Sequence, residues 1–477
     1  MSIPAEWRRG EVAVIGLGRS GRAVAELLVR EGARVYASDS APAAPPDPLT
    51  GCERGSAAER ADHASTVGEL RRLGVDVIAG GHDLARIARA TVVVASPGVP
   101  PEAPPLAAAR AAGVTIVSEI DVALRALTGT RYIAVTGTNG KTTTTAIIGH
   151  LLRGLGRDAT DAGNIGRPLS ALALSPPTRA GAERWAAVEL SSFQLHDTPS
   201  VDPAVGVLTN LAPDHLDRYA NVGEYYADKA LLFRNAATGS RWVLNADDAA
   251  TWSLAATSGT APGSRPTLRD VPGRSWRFSL RDPTTDAWYD TQNARLLVLG
   301  EPLLDRDALR LMGDHNVANA LAASLAVMVA DDAHATTASR ASIAASLASF
   351  RALAHRLEPV GEADGVLWVN DSKATNVSST LVAIEGMTRP TVLLLGGRHK
   401  GEPYTALAAA VRRIARAVVA YGEAAGAIEH DLAGVVRVER VAGSFDDVID
   451  RATRLAQPGD ALLLSPACSS YDMFQNY

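Results

Sequence analysis

The chain carries only two cysteines, Cys52 and Cys468, in 477 residues. They lie far apart and lack metal-ligand spacing, so they build neither a disulfide framework nor a zinc site. Both read as reduced thiols of a cytosolic protein. Long apolar runs are missing as well. None reaches bilayer-spanning length, and the stretch from Met1 to Gly10 has charge but no apolar signal core. The expected location is the cytoplasm, with no membrane partner. There is no basic excess: 47 Lys and Arg stand against 52 Asp and Glu, for a formal net charge of −5. Without a global positive field nucleic acid is not an expected partner, and phosphorylated ligands must be held by local sites. No internal repeat of fixed period recurs, so a repeat array is excluded.

What is present fits a globular protein, with 47% hydrophobic and 21% charged residues. The length predicts about three domains. Val12 to Ile15 is a short apolar run, followed by Gly16-Leu17-Gly18-Arg19-Ser20-Gly21, a helical pattern to Arg30, and a strand from Arg34 to Ala37 that leads to Asp39. This is a β–turn–α–β unit with a GxGxxG turn. Ala41 to Pro48 is a proline-rich surface connection. Thr91 to Ala95 is a further strand, ending in Ser96-Pro97-Gly98. A helix from Ser118 to Leu127 and a linker at Thr128-Gly129-Thr130 close a first domain, 1–128.

A second unit opens with the strand Tyr132 to Thr136 and contains strands at Ala186 to Leu190 and Val205 to Thr209. It also holds a Gly/Pro/Ser/Thr-rich loop from Thr257 to Arg274 and an alanine-rich helix from Asp314 to Val329. In a third unit, strands at Val366 to Asn370, Thr391 to Leu395, Ala417 to Tyr421 and Ala461 to Leu464 alternate with helix-length segments. That alternation predicts a mainly parallel sheet.

The motif that carries chemistry is Gly137-Thr138-Asn139-Gly140-Lys141-Thr142, between a strand and a helix. Backbone N–H groups of such a loop cradle phosphate oxygens, and the helix N-terminus adds positive potential. Lys141 is expected to reach the terminal phosphates and the Thr142 hydroxyl to ligate Mg²⁺. The loop departs from GxxxxGK[ST], because Val135 takes the first glycine position. A kinase or a GTPase would fit it equally well. Glu189, at a neighbouring strand's end, is well placed for the same Mg²⁺. Asp214, His215 and Asp217, after the strand at Val205, form a candidate second metal site. Lys229, taken by itself, reads as a solvated helix lysine.

Here the sequence resembles the Mur ligases over nearly its whole length, and among them the members that add D-glutamate. The shared segments are GLGRSG (Gly16 to Gly21), SPG (Ser96 to Gly98), GTNGKT, GNIG (Gly163 to Gly166), ELSSFQL (Glu189 to Leu195), DHLDRY (Asp214 to Tyr219), DHNVANALAA (Asp314 to Ala323), HRLE (His355 to Glu358), NDSKATN (Asn370 to Asn376), LLLGG (Leu393 to Gly397) and SPACSSYDMF (Ser465 to Phe474). The resemblance implies an α/β protein of three domains. They are a Rossmann-like UDP-binding domain at 1–128, a central P-loop ATPase domain with a mostly parallel sheet at 129–352, and a Rossmann-like domain at 353–477 for the incoming amino acid. The implied reaction is ATP-dependent ligation of D-glutamate to UDP-N-acetylmuramoyl-L-alanine in peptidoglycan synthesis, through an acyl phosphate.

Site roles carry over by motif. For the UDP-muramoyl substrate they fall on Gly18, Arg19, Ser20, Gly21, Asp39, Ser40, Asn164, Ser191 and Gln194. The first GxGxxG, a dinucleotide turn by spacing, thus becomes a UDP site. For ATP they fall on Gly137, Thr138, Asn139, Gly140, Lys141, Thr142, Thr143, Asn316, Asn319, Arg356, Asp371 and Lys373. Thr142, Glu189, His215 and Lys229, the last as a CO₂-derived carbamate, are implied to hold two Mg²⁺ ions, with Mn²⁺ able to substitute. Lys141, Glu189, His215 and Lys229 make up the implied catalytic set. Thr375, Lys400, Ser470 and Tyr477 are implied to take D-glutamate, with Arg398 and His399 as alternatives to Lys400. The partners implied are these small molecules, and the expected state is a monomer.

The family normally continues about one helix beyond the position where this chain stops, a span of roughly ten or more residues. A natural short form and a truncated sequence both fit. A ligase for another amino acid, or a folylpolyglutamate synthase, is the alternative within the class. A nicotinamide dehydrogenase leaves GTNGKT and NDSKATN without a role. A dead nucleotide-binding protein is opposed by the intact Lys141, Glu189, His215 and Lys229.

Overall fold

The apolar runs become the central strands of three sheets. The computed structural model describes residues 3–42, 57–178, 183–215, 218–254 and 271–474. In the first sheet β1 (Glu11–Ile15), β2 (Arg34–Asp39), β3 (Asp76–Ala79), β4 (Val92–Ala95) and β5 (Ile116–Ser118) pair in parallel in the order β3-β2-β1-β4-β5. Val12, Ala13 and Val14 are fully buried, as a parallel strand covered on both faces requires. The helix Arg19–Arg30 crosses from β1 to β2. Its turn needs glycine twice. Gly16 has φ +88, and a Cβ on Gly21 would stand 1.8 Å from the Gly16 carbonyl oxygen.

The second sheet contains β6 (Thr130–Thr136), β7 (Asp158–Gly163), β8 (Arg184–Glu189), β9 (Val205–Leu208), β10 (Arg241–Asn245), β11 (Arg274–Ser279), β12 (Ala287–Asp290), β13 (Arg295–Val298) and β14 (Glu301–Asp305). Their order is β14-β13-β12-β11-β10-β9-β6-β8-β7. β12, β13 and β14 form an antiparallel meander at one edge, and the other pairings are parallel. In the third sheet the order is β15 (Glu358–Ala363), β16 (Val366–Asn370), β20 (Ala461–Leu464), β17 (Thr391–Gly396), β18 (Ala415–Tyr421) and β19 (Val438–Val441). Only the β15–β16 hairpin is antiparallel.

The strands read from apolar runs are present to within two residues, and the alanine-rich helix spans Asp314–Ala330. No strand was read at β3, β5, β7, β14, β15 or β19, which are the edges of the three sheets, nor at the interior strands β10, β11, β12 and β13. The edge strands bury at most two residues each, so their apolar signal is weak. Most of the connection at 41–48, Cys52, and the loop 257–274 up to residue 270 lie outside the described residues. Cys468 is buried as a free thiol.

The first sheet's unit meets the second through buried polar groups. Ser118 Oγ and Thr198 Oγ1 are 2.7 Å apart. Asp121 Oδ1 accepts from the N–H and hydroxyl of Ser200. Glu119 Oε1 accepts the Ser170 N–H at 2.5 Å. Burial pushes the Glu119 carboxyl up from 4.5 to about 7. The folded state therefore holds a proton that the unfolded chain has released between these values. The stability this proton carries is full below the unfolded value and is lost as pH rises through about 7, an amount of about 3 kcal/mol. Glu119→Gln is expected to melt like the wild type near pH 5 and increasingly above it toward pH 8, as read by calorimetry across about that range. Parallel melting curves at both ends would refute this.

Candidate active site

Strand β6 ends at Thr136, and the chain turns through Gly137 to Gly140 into the helix Lys141–Gly154. No side chain caps that helix, so the N–H groups of its first turn remain for a ligand. Gly140 has φ +81, and a Cβ there would lie 2.4 Å from Asn319 Oδ1. The loop is braced from β9's side, where Asn210 Oδ1 accepts the Asn139 N–H at 3.0 Å. The Lys141 ammonium folds over its own loop, donating to the carbonyls of Thr138 at 2.6 Å and Gly137 at 2.9 Å. Burial lowers its pKa, while Glu189 and Asp214 pull the other way.

Glu189 is the last residue of β8 and is buried. Its Oε1 accepts from Asn164 Nδ2 at 3.0 Å, and its Oε2 is buried with no hydrogen-bond partner among the described residues. A buried, orphaned carboxylate oxygen facing a phosphate loop is what a hard cation would satisfy. His215 stands in the left-handed region at φ 56. Its ring is held edge-on by Phe193 and Tyr225, and burial pushes its pKa down. Among the described residues no group of three or more His, Cys, Asp or Glu could hold a metal by itself. A cation at Glu189 would therefore need oxygen donors of other kinds, such as a hydroxyl, phosphate or water, a set that suits Mg²⁺.

Lys229 is not a solvated surface residue. It is 1% exposed, and its Nζ donates to the Gly137 carbonyl at 2.6 Å with the Tyr225 ring 4.6 Å away. Burial, and then the nearby Lys141 ammonium, push its pKa well below the ordinary lysine value.

The third sheet's unit supplies the opposite wall. Arg356 Nη2 donates to Thr142 Oγ1 at 2.8 Å. Asp371 accepts from the Leu357 N–H and the Ser465 hydroxyl, and burial pushes it up to about 6. These groups enclose a cavity of about 500 Å³ lined by Thr138, Asn139, Gly140, Lys141, Thr142, Thr143, Asn164, Glu189, His215, Asn316, Asn319, Arg356, Asp371, Lys373, Thr375 and Lys400. Leu311, Leu353, Val382 and Ala383 add apolar lining to the same cavity as the amides of Asn316 and Asn319, a mix suited to a nucleobase. Asn319 Nδ2 donates to Asn316 Oδ1, so the pair is linked.

A second cavity, of about 930 Å³, lies at the C-terminal ends of β1, β2 and β4 and is lined by Gly18, Arg19, Ser20, Asp39, Ser40 and the Ser96-Pro97-Gly98 run. Asp39 holds this loop in shape by accepting the N–H groups of Leu17 and Ala41. Asn164, Ile165 and Lys373 line both cavities. A ligand of nucleotide-sugar length could thus run from one into the other.

Several expected residues stand elsewhere. Gly21 packs behind the first turn, and Gly137 and Lys229 lie beneath the phosphate loop. Ser191 and Gln194 line neither cavity. They form the capping box of the helix Ser192–His196, each side chain meeting the other's backbone N–H. Ser470 also lies off both cavities, and Tyr477 lies outside the described residues. Of the three alternatives, Lys400 alone lines the central cavity, while Arg398 pairs with Glu423 and His399 with Tyr404. Reading the sequence missed His315, pushed down to about 4 by burial, and Asn376; both line the central cavity. Both sit inside quoted motifs, DHNVANALAA and NDSKATN, which were the available signal.

Residues 135–327 match the family model for the Mur ligase middle domain, and residues 355–468 that for the Mur ligase, glutamate ligase domain. The chain is 40% identical to a UDP-N-acetylmuramoylalanine–D-glutamate ligase of Salinibacter ruber, covering 99% of this chain and 96% of that protein. It is 38% identical to the protein of the same name from Chromobacterium violaceum, again covering 99% and 96%. Among solved structures, the MurF ligase of Thermotoga maritima in complex with ADP aligns with a TM-score of 0.55 at 17% identity, covering 95% of this chain and 90% of that one. That likeness concerns the fold alone.

Proposed function

This chain belongs to the Mur ligase family, and on that premise we propose that it joins D-glutamate to UDP-N-acetylmuramoyl-L-alanine, converting ATP to ADP and phosphate. The observation that carries the reading is the pair of neighbouring cavities that share Asn164, Ile165 and Lys373 in their walls, with a phosphate loop in one and a GxGxxG turn in the other. The unit 1–128 takes the UDP part, 129–352 takes ATP, and 353–477 brings the amino acid. The reaction belongs to peptidoglycan synthesis in the cytoplasm, and the enzyme acts as a monomer. Among the described residues no helix is long and apolar enough to cross a membrane.

An amine cannot displace oxide from a carboxylate, because oxide is a very poor leaving group. The substrate carboxylate therefore attacks the γ-phosphorus of ATP. The β,γ P–O bond breaks, ADP leaves and an acyl phosphate forms. Such transfer needs positioning and charge stabilisation more than covalent help from the protein. Lys141 and Arg356 face the phosphates, and Lys373 lines both cavities. The D-glutamate amine then attacks the acyl carbon, loses a proton, and phosphate leaves. Thr375 and Lys400 supply a hydroxyl and a cation for the dicarboxylate. Thr142, Glu189, His215 and a carbamylated Lys229 would hold Mg²⁺, which neutralises phosphate charge when bound. A nitrogen donor such as His215 also suits Mn²⁺.

Phosphate release should require D-glutamate. L-Alanine, L-glutamate and diaminopimelate are expected to support less than about a hundredth of that rate, since an unmatched polar group in such a site is strongly rejected. Turnover with one of those acceptors and not with D-glutamate would overturn the assignment.

A further inference from the structure

Asn376 ends the NDSKATN run, and its side chain faces two ways. Its Oδ1 accepts the Ser379 N–H at 2.7 Å and so caps the helix Val377–Glu385. That contact turns its Nδ2 outward, where it donates to Asp214 Oδ2 at 3.0 Å. Both side chains are buried, and they are 162 residues apart in the chain. The other oxygen of Asp214, Oδ1, accepts the His215 N–H at 2.8 Å. His215 is in the left-handed region at φ 56, a conformation that costs roughly 1–2 kcal/mol and needs local bonds to hold it. The same helix end grips the phosphate loop. Asn139 Nδ2 donates to Ser378 Oγ, and Ser379 Oγ donates to Asn139 Oδ1.

We propose that Asn376 is a positioning residue, whose amide fixes Asp214 and, through it, the turn that aims His215 into the reaction cavity. The site is then complete only while the third sheet's unit is seated on the second. This inference rests on the ligase reading above. Only an amide meets both demands. Aspartate at this position would still cap the helix but would set a carboxylate against Asp214. Serine would cap the helix but cannot span the gap to Asp214.

The test uses the full-length chain with N376D, N376S and the swapped pair N376D/D214N. Both single variants keep the cap, so their melting temperatures should stay within a few degrees of wild type. Their kcat for phosphate release should fall about 30-fold or more with KM for ATP moved less than about threefold, the signature of lost positioning. The swapped pair should recover about tenfold of the N376D loss, as expected for two directly coupled side chains. Single variants with kcat within about twofold of wild type, or a swap with no recovery, would overturn the proposal. Wild-type turnover of D-glutamate in the same assay tests the ligase reading separately. Should the wild type be inactive, compaction with a non-hydrolysable ATP analogue is followed by small-angle scattering. The proposal expects compaction in the wild type and less of it in N376D, and equal compaction in both refutes it.

Discussion

Lys141→Ala is expected to lower kcat for phosphate release by at least about 10³-fold, which is the scale for removing a charge aimed at a developing anion in a dry site. The ammonium is buried in the loop and held there by the carbonyls of Gly137 and Thr138, beside the cavity that the phosphates would enter. Burial already disfavours its charged form, so its removal relieves a cost and should leave the melting temperature nearly unchanged. The loss should appear in kcat and kcat/KM together, because the contact strengthens only as charge builds on the transferring phosphoryl group. A folded Lys141→Ala protein with wild-type turnover would remove the phosphate loop from the mechanism.

Lys229→Met should cost about 10²–10³-fold in kcat, and wild-type activity should fall when CO₂ is stripped from the buffer and return with bicarbonate. The reasoning starts from the amine. A lysine whose pKa is pushed down has a larger neutral fraction at a given pH than an ordinary lysine, and only the neutral amine attacks CO₂. The new N–C bond forms as one C=O π pair moves to oxygen. The nitrogen then releases a proton and leaves an anionic carbamate. The sign with pH follows. Raising pH from the depressed value upward favours the neutral amine, so carbamate should grow with pH at fixed dissolved CO₂. It should also replace an ammonium that now lies beside the like charge of Lys141. A ¹³C signal from ¹³CO₂-treated protein that is absent in Lys229→Met is the direct measurement. Wild-type activity that ignores CO₂, together with no such signal, would sink the carbamate.

How much of this was legible in the sequence varies residue by residue. The phosphate loop could be read because its function lies in local backbone shape. Glycine at 140 serves a left-handed residue, and Lys141 stands in the first turn of the following helix. Ser191 and Gln194 also obey a local rule. S-x-x-Q at a helix start is a capping box, and that pairing occupies both side chains, which the family motif did not convey. Lys229 could not be read from its neighbours. Its meaning comes from the Gly137 carbonyl, 92 residues away in sequence, and from complete burial. That Lys400 lines the cavity while Arg398 faces Glu423 and His399 faces Tyr404 was likewise beyond any local pattern.

By itself the sequence determined the α/β class, half of the strands, the two glycine turns and the residue types able to handle phosphate. These follow from apolar runs, turn chemistry and short motifs, all of which act over a few residues. Only the tertiary structure decided which of those groups share a cavity, that Lys373 lines both cavities, that Glu189 Oε2 has no partner among the described residues, and that Asn376 reaches Asp214. Those facts depend on how three sheets pack, and packing sets burial, electrostatics and long-range partners that no local pattern contains.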